Sequence, residues 1–179
     1  MLEIDVPNLD YFNEDTQEFV RIDGCKLQLE HSLLSVSKWE SKWCTSFLSG
    51  KEKSNEMLTD YVRCMTMNRV PSNFNYDDLP PGVLEEISEY INAPMTATTF
   101  VDTGGKPSRE IVTSELIYYW MVAMNIPFEC QKWHLNRLLT LIKVCNIKNS
   151  PPKKRSKRDI MSRNTALNAA RRKQLNTRG

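Results

Sequence analysis

The sequence has few of the residues from which metal sites and disulfide frameworks are built. Its 179 residues include two histidines and five cysteines, and no two cysteines form a CxxC pair. Cys130 and His134 are four residues apart, so on one helix they would share a face. A zinc site needs two further ligands, however. We therefore interpret both residues as packing residues, and we expect no metal and no cofactor.

Long apolar runs and catalytic signatures are missing as well. No run approaches the ~20 apolar residues that a membrane span needs. The start, MLEIDVPNLDYFNED, is acidic and unlike a signal peptide, so we expect an intracellular protein without a membrane partner. Neither GxSxG nor a P-loop occurs, and GGKPS at 104–108 lacks the P-loop spacing. The sequence predicts a binding protein rather than an enzyme.

Charge is distributed unevenly along the chain. Residues 1–100 carry 8 Lys and Arg against 17 Asp and Glu, whereas residues 151–179 carry 10 against 1. A basic tail on an acidic body predicts contact with nucleic acid, with an acidic protein or with the body itself. No aromatic residue interleaves the basic ones and Leu167 and Leu175 suggest an apolar face, so we favour a protein partner. The residues predicted to make tail contacts are Lys153, Lys154, Arg155, Lys157, Arg158, Arg171, Arg172 and Lys173.

Hydrophobic periodicity predicts a mainly α fold with one N-terminal β-hairpin. The runs FVRI and CKLQL flank Asp23-Gly24, a dipeptide typical of type I′ turns, and predict a hairpin near 18–30. Apolar residues at three- and four-residue steps predict helices near 32–50, 54–67, 80–92, 109–125 and 128–149. The predicted organisation is a helical body over 1–148 with a flexible segment at 93–109, a basic linker over 149–162 and a short basic helix or partly disordered tail over 163–179.

The predicted helices 113–125 and 129–146 have the outline of a helix-turn-helix. A recognition helix must expose a polar face to base edges. Leucine, isoleucine, valine and tryptophan cover most of 129–146, so we interpret it as a packing helix with Trp133, Leu138 and Ile142 inside. A small nucleic-acid-binding regulator that uses this pair and the basic tail is the alternative function.

Four tryptophans and eight methionines give the body large, adaptable apolar side chains. Such residues lie more often in cores than in interfaces. In a chain without a catalytic motif, an exposed share of them suits a surface that binds a client protein. The residues predicted for protein binding are Trp39, Trp43, Trp120, Trp133 and Arg137.

Several segments together resemble the tail assembly chaperones of long-tailed bacteriophages. They are VSKWESKWCTSFLS, LTDYVRCMT, NAPMTATTF, ELIYYWMVAMNIPFECQKWHLNRLLTLIKVCNIKN and the end NTALNAARRKQLNTRG. The resemblance implies a small, helical, non-enzymatic protein that coats the tape measure protein and helps tail-tube subunits to polymerise around it.

That resemblance sets the expected partners and place of action. The partners are the tape measure protein and the tail-tube protein. Self-association is a separate expectation, because one edge of the predicted hairpin is open to another subunit. The location is the cytoplasm of the infected bacterial host, with the protein absent from the mature virion. In this class a longer product is often made by ribosomal frameshifting. A structural minor tail or connector protein is a further alternative.

Overall fold

The computed structural model describes residues 1–13, 17–22, 24–72, 74–100, 110–151 and 157–176. Within these ranges the chain forms six α-helices and four β-strands, which confirms the predicted mainly α fold. No helix in these ranges is long and apolar enough to cross a membrane. The elements are β1 (Leu2–Asp5), β2 (Leu9–Asn13), β3 (Glu18–Ile22), β4 (Lys26–Leu29), α1 (Leu33–Trp43), α2 (Asn55–Met65), α3 (Pro81–Asn92), α4 (Ser114–Ala123), α5 (Leu135–Asn149) and α6 (Lys157–Leu175).

The strands form one long antiparallel hairpin in two halves. β1 pairs with β4, where Leu2 lies opposite Leu29, and β2 pairs with β3, where Asn13 lies opposite Glu18. Both halves keep the same register, so the second continues the ladder of the first. The tip therefore falls between β2 and β3.

The predicted hairpin near 18–30 is wrong in its pairing, although strands form at both predicted places. β3 and β4 follow each other along the same side of the ribbon, and the N-terminal residues supply their partners. Asp23 lies outside the described residues, and Gly24 lacks the left-handed φ that a type I′ turn requires. Gly24 is needed for a close approach instead, because a Cβ there would lie 2.2 Å from the carbonyl oxygen of Val6.

The outer edge of β4 is closed by the last residue of α2 and the residues that follow it. The Glu30 N–H donates to the Met65 carbonyl at 3.0 Å, and the Met67 N–H donates to the Gln28 carbonyl at 2.8 Å. The Asn68 side chain accepts the Gln28 N–H at 2.9 Å. These bonds satisfy strand groups that would otherwise be open to another chain, and they fix the ribbon to α2.

Helix α1 lies in the core of the compact unit Met1–Asn146. Leu33, Val36 and Trp39 are fully buried on it. Ser32 caps its first turn, since its side chain accepts the Ser35 N–H. The helix ends before the predicted position 50, because Cys44 adopts a left-handed φ of 50°.

A buried carboxylate joins the end of α1 to the start of α4. Glu40 accepts the Phe47 N–H and the Ser114 N–H, each at 2.7 Å. Ser114 is the first residue of α4, where the helix dipole favours a negative charge. This residue therefore orients α4 against α1.

The predicted helix 128–149 is broken in two. Phe128–Lys132 form a 3-10 helix, and α5 begins only at Leu135. Between them His134 forms an isolated β-bridge with Ser32, and the Leu135 N–H donates to the His31 carbonyl at 2.7 Å. This bridge takes His134 out of any helix shared with Cys130, so the two do not lie on one helical face.

The second compact unit, Ile147–Gly179, contains α6. This helix begins at Lys157, inside the segment 149–162 that was predicted to be a linker. Part of the predicted flexible segment 93–109, namely 101–109, lies outside the described residues.

Candidate protein-binding surfaces

A groove of about 650 Å³ opens between α2 and α3. Apolar side chains from both helices line it, and two of them are half exposed: Leu58 on α2 is 49% exposed and Leu84 on α3 is 44% exposed. The other apolar residues lining the groove are Phe47, Tyr61, Val62, Ile87 and Ile91. Large apolar side chains that stay open in a concave place are typical of a binding site.

Residues at their first turns fix where the two groove-forming helices begin. Ser54 caps α2 by accepting the Met57 N–H at 3.3 Å. Pro81 occupies the first turn of α3, where proline is favoured because its missing N–H would be unpaired anyway. Both starts agree with the sequence prediction.

The floor of the groove is tied to the core by stacked aromatic rings. The rings of Phe47 and Tyr61 stack with centroids 4.0 Å apart, and Phe47 meets Trp39 edge-on at 5.2 Å. The Tyr61 hydroxyl bonds to Nδ1 of His31 at 2.5 Å. Burial raises the pKa of Tyr61 well above its usual value, so the hydroxyl stays protonated. A floor fixed in this way is pre-formed for a ligand.

The charged side chains at the groove itself are Asp77 and Lys53, which line it. The exposed Glu85, Glu86 and Glu89 of α3 lie about 110–150° around the helix from the residues that line the groove. These glutamates therefore face away from a ligand bound in the groove.

The predicted protein-binding tryptophans do not form one surface. Trp39 is fully buried and its indole N–H donates to the Met57 carbonyl at 2.8 Å, so its prediction as a binding residue is wrong. Trp133 is half-buried, not fully inside as predicted, and the exposed Arg137 guanidinium lies 4.3 Å from its ring centroid.

Trp43 is half-buried and belongs to a polar cluster on α1 and α2. Its indole N–H donates to Asp60 at 3.0 Å, and Lys42 pairs with the same carboxylate at 2.5 Å. Burial alone would raise the pKa of Asp60, but the hydrogen bonds from Lys42 and Trp43 and the charges of Lys42 and Arg63 outweigh it and lower that pKa. These bonds hold α1 and α2 together.

Trp120 lines a smaller cavity of about 390 Å³ together with Leu139 of α5. The rest of its lining comes from the segments before α2 and before α4, including Leu48, Ile111 and Val112. Trp120 and Trp43 therefore face different parts of the molecule.

Two histidines meet beneath the groove, within the core. The rings of His31 and His134 are 5.0 Å apart, and Nε2 of His134 bonds to the Tyr90 carbonyl at 3.0 Å. Burial, and then the charge of His134, lower the pKa of His31 to about 3. Burial also lowers the pKa of His134. In the described ranges, no three His, Cys, Asp or Glu side chains are placed to hold a metal ion.

Helix α6 carries five of the residues predicted for tail contacts. Lys157, Arg158, Arg171, Arg172 and Lys173 are all exposed on it. The other three, Lys153, Lys154 and Arg155, lie outside the described residues.

The sequence prediction did not identify the groove. Leu58 and Leu84 are half exposed at the groove, and neither is among the residues predicted for protein binding. The signal that could have identified them is an apolar stripe on each helix that is wider than one core contact requires.

Comparison of the chain with protein-family models, curated proteins and solved structures finds no match. The resemblance of its segments to tail assembly chaperones therefore stays a hypothesis.

Proposed function

We propose that this protein is a non-enzymatic tail assembly chaperone of a long-tailed bacteriophage and binds a helical segment of the tape measure protein in the α2–α3 groove. The observation that carries this proposal is the open groove, with Leu58 and Leu84 half exposed at its mouth. The resemblance of the sequence segments supports the choice of client. The protein would act in the cytoplasm of the infected host and leave before the virion is complete.

The spacing of the lining residues fits a helical client. On α3 they are Leu84, Ile87, Ser88 and Ile91, which follow the i, i+3, i+4, i+7 pattern and extend for about 10 Å. On α2 they include Leu58, Tyr61 and Val62 in the pattern i, i+3, i+4. Two apolar rows of this kind accept the apolar stripe of an amphipathic helix, which is how helix-in-groove complexes bind.

The charges that line the groove itself narrow the choice of client segment. They are those of Asp77 and Lys53. We therefore propose a client helix with a basic residue that meets Asp77 and an acidic residue that meets Lys53 beside its apolar stripe. Complementary charges of this kind chiefly speed association and select the partner.

Tail-tube subunits are the second partner in this proposal. The alternative of a helix-turn-helix regulator is less well supported, because the structure buries Leu135, Leu138 and Ile142 on α5, the element that would have to read the bases. A structural minor tail or connector protein remains the other alternative. Detection of the protein in purified virions would favour it over a chaperone.

Co-expression with the tape measure protein of the same phage tests the proposal. We expect the client to become more soluble and to co-purify with the full chain. A client that is equally insoluble with and without this protein would contradict the proposal.

Two substitutions locate the contact. In the double variant Leu58→Glu and Leu84→Glu, charges replace apolar groups at the groove mouth, and we expect at least a tenfold loss of co-purified client. Val122→Glu is the matched control, because Val122 is 59% exposed on α4 and does not line the groove. Circular dichroism checks that both proteins fold. An equal loss of client from both would show that the groove is not the site.

A further inference from the structure

Helix α6 is exposed along its described length. The side chains of Lys157, Arg158 and every residue from Met161 to Leu175 are exposed. Six of its 19 residues are Lys or Arg. A helix of this length spans about 28 Å, and a lone helix is marginal in water. A binding partner that pairs these charges would stabilise it.

The apolar side chains of α6 do not suit a protein groove. The large apolar residues in its sequence are Ile160, Met161, Leu167 and Leu175. No two of these are three or four residues apart, whereas protein grooves bind helices through anchors at i, i+3, i+4 and i+7. The alanines between them add little apolar area. Among the described residues of α6, polar side chains form the more regular pattern.

Asn164, Asn168 and Arg171 form a polar row on one face of α6. They are spaced i, i+4, i+7, so they lie within about 60° of one another around the helix. Asparagine forms two hydrogen bonds with the major-groove edge of adenine, and arginine does so with guanine. All three side chains are exposed. The row thus has the chemistry of base recognition.

Arginines flank this row on both sides. At about 100° per residue, Arg172 lies about 70° to one side of the row and Arg163 lies about 110° to the other. In a DNA duplex, phosphate backbones border the major groove on both sides of an inserted helix. A protein groove contacts mainly one face, so the two-sided charge favours the duplex.

We propose that α6 binds duplex DNA in the major groove. Asn164, Asn168 and Arg171 face the base edges, and Arg163 and Arg172 contact opposite phosphate backbones. The major groove of B-form DNA admits an α-helix, whereas that of an RNA duplex is too narrow. This inference is independent of the proposed client groove, because it uses only residues of α6. It assigns nucleic acid to a helix for which the sequence favoured a protein partner.

Fluorescence anisotropy of the full chain with a labelled 20-bp DNA duplex tests the proposal. We expect binding at ~50 mM salt that weakens as salt rises to ~200 mM, since phosphate contacts release counterions. The double variant Arg163→Ala and Arg172→Ala should bind about tenfold more weakly at ~100 mM salt, with the log–log salt slope smaller by about 2. The matched control, Lys51→Ala with Lys132→Ala, removes two exposed charges outside α6 and should change affinity less than about twofold.

Competing ligands separate the alternatives. An RNA duplex and a single-stranded DNA of the same sequence should each bind more weakly than the DNA duplex. Asn164→Ala with Asn168→Ala should reduce the preference among duplex sequences and leave the salt slope unchanged, because asparagine carries no charge. The proposal is overturned by absence of duplex binding at ~50 mM salt, by equal losses in the two charge variants, or by tighter binding of RNA or single-stranded DNA.

Discussion

Helix α1 buries Leu33, Val36 and Trp39 completely, whereas α6 exposes all of its described side chains. Both form helices, but their apolar residues differ in spacing. Those of α1 recur at steps of three, so they form one stripe that packs into the core. The large apolar residues of α6 are Ile160, Met161, Leu167 and Leu175, which leave steps of six and eight residues that contain arginine, lysine and asparagine. The spacing of apolar residues thus identifies α1 as a core helix. The charge of α6 indicates that this helix contacts a partner outside the chain.

The largest expected effect on stability comes from a substitution in α1, compared with a substitution in α6. Trp39→Ala removes a fully buried indole and its hydrogen bond to Met57, and we expect it to lower the free energy of unfolding by about 3–5 kcal/mol. Leu167→Ala on α6 is the control, and it should change the free energy by less than about 0.5 kcal/mol. Urea unfolding followed by circular dichroism measures both. A similar loss of unfolding free energy in the two variants would contradict the assignment of α1 to the core and of α6 to the surface.

The next effect concerns the carboxylate that joins α1 to α4. Glu40→Ala leaves the part-buried N–H of Phe47 and the buried N–H of Ser114 without their acceptor, so we expect a loss of about 2–4 kcal/mol in the same measurement. Glu40→Gln keeps one acceptor oxygen and should lose less. A loss in the alanine variant no greater than in the glutamine variant would argue against a bridging role.

A smaller effect tests the hairpin. Gly24→Ala forces a Cβ against the backbone oxygen of Val6, and we expect it to cost about 1–3 kcal/mol. Gly82→Ala is the matched control, since a Cβ at Gly82, in the first turn of α3, meets nothing within 4 Å. It should be neutral or stabilise by up to about 1 kcal/mol. An unchanged Gly24→Ala protein would mean that the backbone of Gly24 does not approach that of Val6 as described.

The smallest effect is a dependence of stability on pH. The folded-state pKa of His31 is about 3, below its usual 6.5, so between these values the unfolded chain binds a proton that the folded chain does not. Stability from this group is therefore lost as pH falls, by about 1 kcal/mol between pH 7 and pH 5.5. His31→Asn, which does not titrate, should lose correspondingly less over this interval in urea unfolding. An identical loss in both proteins would remove His31 as the cause.

Local signals in the sequence predicted most of the helical body. Ser54 before α2 and Pro81 in the first turn of α3 are start signals that need no distant partner, and both helices begin where predicted. The core positions Leu138 and Ile142 also followed from periodicity. These features depend on residues within a few turns of each other, which is the range over which sequence patterns are informative.

Features that depend on distant residues were not predictable in the same way. The pairing of β3 and β4 is decided by the N-terminal strands, and the break before α5 is decided by the bridge from His134 to Ser32. The groove forms because α2 and α3 line the same cavity. Leu58 and Leu84 could therefore be recognised as parts of one surface only from the folded structure. Trp39 is the opposite case. Its large side chain suggested a binding residue, but the fold buries it completely in the core.

Hydrogen exchange of the full chain, with and without the tape measure protein, tests the central claim most directly. If a client helix lies in the groove, binding should slow amide exchange in α2 and α3 and leave α4 unchanged, because covered and stabilised helices open less often. Slower exchange confined to α4, α5 or the hairpin, with α2 and α3 unaffected, would contradict the account.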